Sequence, residues 1–193
     1  MHTQLHRFLR YLTPIPDDQL LAVDRLFQPL FLPKGNFFVE AGVVPHRLGF
    51  VVSGLLRLFY IDPDGNEYTK SFRPENGVIA AYSGLLLQQP SRLHIEALED
   101  TQLLVAHYDA YKALTAQHPC WEIVGRKLAE SLFIKKEERE SQLLLDDAAT
   151  RYQHFLHDYP GLEPRLKQYH IASYLGITPA TLSRIRSQQI DKN

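Results

Sequence analysis

The stretch that decides the fold is Gln168-Tyr-His-Ile-Ala-Ser-Tyr-Leu-Gly-Ile-Thr-Pro-Ala-Thr-Leu-Ser-Arg-Ile-Arg186. Ile171, Ala172 and Leu175 recur at helical spacing, which predicts a first short helix with one apolar side. Gly176 follows, the residue that turns most cheaply into a left-handed conformation. Thr178 is a good N-cap and Pro179 suits the first position of a second helix. Leu182 and Ile185 give that helix an apolar side. Thr181, Ser183, Arg184, Arg186 and Gln188 take its other faces, and with Thr178, Pro179, Ala180 and Ser187 they are the candidate DNA-binding residues. Two short helices joined at a glycine, the second small, polar and basic outside, predict a helix-turn-helix whose second helix enters a DNA major groove. Arg184 is expected to read a base there, with Thr178, Thr181 and Arg186 set on phosphates. An ordinary helical hairpin is the plainer alternative.

Upstream, the chain changes texture twice. Residues 3–27 read as helical, with Leu5, Phe8, Leu9 and Leu12 on one face and a break at Pro14 and Pro16. From Phe31 to Val105 short β-branched and aromatic runs alternate with turns: 37–39, 48–52, 55–61, 68–72, 94–98 and 103–105. Glycine turns separate them, Asp64-Gly65 being a strong hairpin signal. This spacing predicts an antiparallel β-roll or barrel.

Beyond a short helix at 109–117, Pro119 opens a long helix to Leu145. At 1.5 Å per residue it would reach about 40 Å, more than a small domain needs. Trp121, Val124, Leu128 and Leu132 form its expected apolar seam, and Lys135-Lys-Glu-Glu-Arg-Glu140 is polar all round. Either it lies across the roll, or it pairs with a second copy and links two domains; its length favours the second. A helix over 146–159 then begins the C-terminal domain.

With 193 residues and 45% hydrophobic content, the chain can bury a full core. Its net charge of −1 argues against a general nucleic-acid coat. From Arg165 onward, however, Arg165, Lys167, Arg184, Arg186 and Lys192 oppose only Asp191. The lone cysteine, Cys120, cannot form an internal disulfide, which suits a reducing compartment. Met1–Arg10 lacks the apolar run of a signal peptide. No segment approaches the ~18 apolar residues of a membrane span. A cytoplasmic protein without a membrane partner is expected. Nine histidines include no His-x-His pair, and His154 and His157 suit adventitious contacts only, so no metal site is expected. No glycine-rich phosphate loop, nucleophile elbow or paired catalytic carboxylate is present, so no enzyme is expected.

The order helix, roll, long helix, helix-turn-helix resembles the Crp/Fnr regulators, relatives of the cyclic-AMP receptor protein, over nearly the whole chain. The resemblance rests on Lys34–Gly42, Leu48–Arg57 and Asp64–Glu67, which read like the roll of a cyclic-nucleotide-binding domain. It rests also on Pro90–Asp100, like the segment after the phosphate-binding cassette, and on Ile171–Arg186. It implies an α+β protein with three parts: a roll sensor over 1–117, a dimerisation and linker helix over 118–145, and a helix-turn-helix domain over 146–193. The β-hairpin wing of many relatives is expected to be missing after Ile190.

Departures from the family pattern shape the expected chemistry. Ala80-Ala81 stand where cyclic-nucleotide readers carry Gly-Glu, whose glutamate holds the ribose. Ser91-Arg92 stand where Arg-Ser holds the phosphate, and Lys135 and Lys136 replace small hydroxyls that meet adenine. A one-residue shift in a strand reverses a side chain's face. The expected effector pocket (Ala80, Ala81, Tyr82, Ser91, Arg92, Lys135, Lys136) therefore takes no cyclic nucleotide, and a different small anion fits its charges. No cofactor is implied. In the recognition helix Ala180 replaces a frequent acidic residue, while Arg184 is retained for guanine. The implied function is a homodimeric DNA-binding transcription regulator, with DNA, a second copy through Pro119–Leu145 and RNA polymerase as partners. The alternative is an effector-binding or protein-interaction module that docks protein rather than DNA.

Overall fold

The computed structural model describes residues 1–190. Helices α1 (His2–Leu12) and α2 (Asp17–Leu26) open the chain. Asp17 and Asp18 occupy the first turn of α2, where the helix dipole favours negative charge. Eight strands follow: β1 (Gln28–Leu32), β2 (Phe37–Val39), β3 (Arg47–Ser53), β4 (Leu56–Ile61), β5 (Glu67–Arg73), β6 (Val78–Ile79), β7 (His94–Ala97) and β8 (Thr101–His107). They form two four-stranded sheets, ordered β1-β8-β3-β6 and β2-β7-β4-β5. Helix α3 (Tyr82–Leu87) interrupts the strands. Helices α4 (Tyr108–Thr115), α5 (Cys120–Leu145), α6 (Ala148–Asp158), α7 (Gln168–Leu175) and α8 (Pro179–Ile190) complete the described residues, with a short 3-10 turn at Glu163–Arg165.

The mixed α and β architecture and the antiparallel roll follow the sequence reading. Leu48–Val52 is apolar at every position but Gly49 because both faces of β3 are covered. Leu48, Phe50 and Val52 face a cluster with Leu5, Val23, Leu104, Trp121 and Val124. Val51 faces the opposite way, among Leu56, Leu58, Ile79, Ala81, Ile95 and Leu103. Gly54 is required by space as well as by its φ of +99°, since a Cβ there would lie 2.5 Å from Thr101 Oγ1 and 2.7 Å from Thr101 Cα. Strand β1 contains Pro29, which an edge strand tolerates.

The contacts divide the chain into two units. One comprises Met1–Tyr60 and Ser71–Ser131; the other comprises Ile61–Lys70 and the chain from Leu132 onward. The division falls inside α5, whereas the sequence reading placed boundaries at 117/118 and 145/146.

This division corrects the expected seam of the long helix. Trp121 and Val124 are buried in the first unit's own core, with Leu128 packed against it, and Trp121 Nε1 donates to Gln19 Oε1 at 2.9 Å. The heptad spacing detected there is the period of a helix lying on its own domain. From Ala129 to Leu145 no residue of α5 is buried, and only Arg139 and Gln142 are partly covered. Leu132, Phe133, Ile134, Leu143, Leu144 and Leu145 are exposed. Phe133, Glu137, Glu140 and Leu144 share one exposed face of this segment, at heptad spacing.

In the second unit Tyr152, Phe155, Leu162, Ile171, Leu175, Leu182 and Ile185 are buried. Asp147 caps α6, accepting from Thr150 N at 2.7 Å. The expectation of a missing wing, and the charges of Asp191 and Lys192, lie outside the described residues.

Candidate nucleic-acid interface and effector site

Helix α7 ends as its sequence requires. Gly176 adopts φ 70° and ψ 36°, and the Ile177 N–H reaches back to Ala172 O at 3.0 Å. This closure satisfies carbonyls the helix end would otherwise leave unpaired. Two cations complete it: Arg139 Nη2 donates to Tyr174 O, and Arg151 Nε to Leu175 O at 3.0 Å. Positive charge at a helix C-terminus also opposes the negative end of its dipole. Arg139 lies 4.0 Å over the Tyr174 ring, and its burial pulls its pKa below the ordinary arginine value.

Helix α8 begins with Thr178 as N-cap, the Thr181 N–H donating to Thr178 Oγ1 at 3.2 Å. The Thr178 and Thr181 hydroxyls are 3.0 Å apart, and Gln168 Nε2 donates to Pro179 O at 3.0 Å, linking the two helix starts. Leu182 and Ile185 turn inward. Ala180, Ser183, Arg184, Ser187 and Gln188 are exposed, a stripe at i, i+3, i+4, i+7 and i+8, with Pro179 also exposed at its start.

Arg186 departs from its expected place among the phosphate-facing residues. Its Nη2 is 2.7 Å from Glu163 Oε1, its Nε is 3.3 Å from Tyr152 Oη, and the Tyr152 hydroxyl donates to the same carboxylate. Arg186 and Glu163 are 29% and 31% exposed, so the pair is two-thirds covered. Burial and the Glu163 carboxylate together hold the Tyr152 pKa above its ordinary value. The reason for the misplacement is rotational: at about 100° per residue, position 186 lies on the flank beside buried Leu182, not on the exposed stripe.

A contact that sequence reading missed joins α7 to the β4–β5 turn. Ser173 Oγ donates to Glu67 O at 2.8 Å and accepts from Thr69 N at 2.9 Å, bonding the free edge of β5 as a neighbouring strand would. The turn is held by Asp62, which accepts from Asn66 N at 2.8 Å, Asp64 N at 3.0 Å and the Tyr68 hydroxyl at 3.0 Å. The Asn66 bonds foremost keep the Asp62 carboxyl below the ordinary aspartate pKa.

The expected effector residues are distributed as follows. Ala80, Ala81 and Tyr82 lead into α3. Ala81 is 2% exposed and packed in the apolar cluster inside the roll, so a carboxylate at this position would be buried among hydrocarbon. Ser91 is buried and its hydroxyl serves its own turn, donating to Leu93 O at 2.9 Å and accepting from Leu93 N at 3.0 Å. It is therefore not turned out as a phosphate ligand. Arg92 is exposed. Lys135 and Lys136 are exposed on the part of α5 that belongs to the second unit. An open depression of about 200 Å³ in the first unit is lined by Phe37, Phe38, Val39, Glu40, Val43, His46 and Arg47 and by none of these residues. Among the described residues no group of three or more His, Cys, Asp or Glu side chains could hold a metal ion, and no helix is long and apolar enough to cross a membrane.

Comparison with known proteins agrees with this architecture. Residues 29–118 match the cyclic nucleotide-binding domain family. The chain as a whole has the fold of the Crp/Fnr regulators. It is similar to FixK2 from Bradyrhizobium japonicum, at 19% identity, covering 86% of each chain with a TM-score of 0.70. It is similar to the c-di-GMP responsive global regulator CLP of Xanthomonas campestris, at 14% identity, covering 92% of this chain and 93% of that one with a TM-score of 0.72. A Crp/Fnr-classed protein from Eubacterium rectale matches at 19% identity, over 94% and 88% of the two chains, with a TM-score of 0.71. No curated protein matches the sequence significantly.

Proposed function

We propose that the protein is a transcription regulator that binds a pseudo-palindromic operator as a homodimer, and that it has no catalytic role. The observation that carries this reading is α8: capped at Thr178, anchored by Leu182 and Ile185, and exposing a stripe of small and polar side chains around Arg184. A helix with these properties, following a glycine-closed first helix, has the shape and chemistry to read base edges. The likeness to regulators in fold supports it.

The second copy would cover α5. Six large apolar side chains between Leu132 and Leu145 are exposed. Fully burying each is worth about 1.5–3 kcal/mol. Pairing α5 with its symmetry mate would set two copies of α8 on two half-sites. In this reading 1–117 is the sensor, 118–145 the dimerisation helix and 146–193 the DNA-binding domain, in the cytoplasm, with RNA polymerase as a further partner. Cyclic nucleotide is not the effector, because Ala81 offers the ribose no acceptor. A small anion meeting Arg92 or the Lys135/Lys136 pair is the effector class the charges fit.

Fluorescence anisotropy with a random-sequence duplex at several salt concentrations tests the DNA-binding reading. Binding that weakens steeply as salt rises is expected from counterion release. No binding at low salt would transfer the reading to a protein-interaction module.

A further inference from the structure

On α8 the exposed stripe spans an arc of about 140°, centred opposite Leu182 and Ile185. Its five members differ in what they can offer a base. Ala180 presents only a methyl group. The Ser187 hydroxyl is engaged by the Ser183 carbonyl at 3.2 Å, and the Ser183 side chain is short. Arg184 and Gln188 alone combine length with two polar atoms held in one plane. Unlike Arg186, neither makes a side-chain hydrogen bond or ion pair with another described residue.

Their chemistries differ in a way base edges distinguish. The Arg184 guanidinium offers two parallel donors, the complement of guanine O6 and N7. The Gln188 amide offers one donor and one acceptor, the complement of adenine N7 and N6. Four residues apart, they are neighbours on one face, about 6 Å apart along the axis. Base pairs rise 3.4 Å, so a helix lying along the groove aims the two side chains about two base pairs apart.

We infer that Gln188 is a second base-reading residue, recognising an adenine two base pairs from the guanine read by Arg184. The preferred half-site is therefore built on a guanine and an adenine at that separation. The stripe carries no carboxylate to accept from a cytosine amino group. Ala180, one turn earlier, adds at most an apolar contact with a thymine methyl. This inference rests on the proposed DNA-binding reading and adds the sequence class recognised.

The test uses the full-length protein and a duplex enriched from a random pool by the wild type. Every single-base change in one half-site is titrated against wild type, Gln188→Ala and Arg184→Ala. Wild type is expected to discriminate about tenfold or more at both positions. Gln188→Ala should lose discrimination at the adenine alone, and Arg184→Ala at a guanine two base pairs away. Gln188→Arg should shift the preferred base at the first position to guanine. If Gln188→Ala leaves every base preference intact, or the affected position is not two base pairs from the Arg184 position, the inference fails while DNA binding stands. If the wild type retains no duplex from the pool at low salt, the DNA-binding reading fails with it.

Discussion

Replacing Arg186 with alanine separates a positioning role from a phosphate-binding one. The guanidinium holds Glu163 and Tyr152 on the inner side of α8, with both charged partners about two-thirds covered. An exposed ion pair contributes about 0–1 kcal/mol, and breaking a fully buried one costs about 3–5 kcal/mol. This pair lies between those limits, and Tyr152 remains to donate to Glu163, so a loss of about 1–2 kcal/mol is expected. That loss corresponds to roughly a five- to thirtyfold rise in opening of the segment. Hydrogen-exchange mass spectrometry of full-length protein reads it directly: amides of α8 and of α6 around Tyr152 should exchange faster by that factor. In parallel, affinity for DNA should fall because α8 is less well oriented, while the slope of log K against log salt stays at the wild-type value. A phosphate contact would behave oppositely, with exchange unchanged and the slope reduced by about one. That outcome would refute the assignment of Arg186 to the domain interior.

Four further outcomes are expected. Phe133→Glu places a charge on the exposed face of α5 and should dissociate the dimer; losing about 1.5 kcal/mol or more from each protomer raises its Kd about a hundredfold, read by sedimentation velocity with native circular dichroism retained. Leu128→Glu, in contrast, should destabilise the monomer itself, seen as a lower melting temperature, because Leu128 packs on the first unit's core. Calorimetry with cyclic AMP should detect no micromolar binding, since a ribose hydroxyl left without a carboxylate partner forfeits about 1.5–3 kcal/mol; a micromolar Kd would overturn the reading of Ala81. Asp147 caps α6 with its carboxyl held below the ordinary aspartate pKa, chiefly by the Thr150 N–H. The cap's contribution is present above the unfolded aspartate pKa and is lost as pH falls through the lower folded value; exchange at the first turn of α6 should quicken in that acid range, and Asp147→Asn should remove the dependence.

What could be read from the chain followed where local pattern and tertiary structure agree. Gly176, Thr178 and Pro179 encode the turn between α7 and α8 by conformation alone, and Asp64-Gly65 encodes the β4–β5 turn. Strand β1 was hidden from its start because Gln28-Pro29 carries no strand signal, and only its place at a sheet edge makes the proline acceptable. The seam of α5 is ambiguous in the sequence because a helix on its own core and a helix in a dimer share the same spacing; burial distinguishes them, and periodicity does not. The Arg186–Glu163 pair is not legible in the sequence because the carboxylate is 23 residues away and no local pattern joins them. Ser173 bonding the edge of β5 is likewise a long-range contact that a serine in a short helix does not announce.

The measurement that bears most directly on the central claim is selection of bound sequences from a random duplex pool by the full-length protein, repeated with Arg184→Ala. The wild type is expected to enrich a two-fold symmetric motif, with half-sites about one helical turn apart or a multiple of it. Arg184→Ala should lose preference at one base pair in each half. Enrichment of no motif, or a motif identical for both proteins, would contradict the claim that the exposed face of α8 reads DNA.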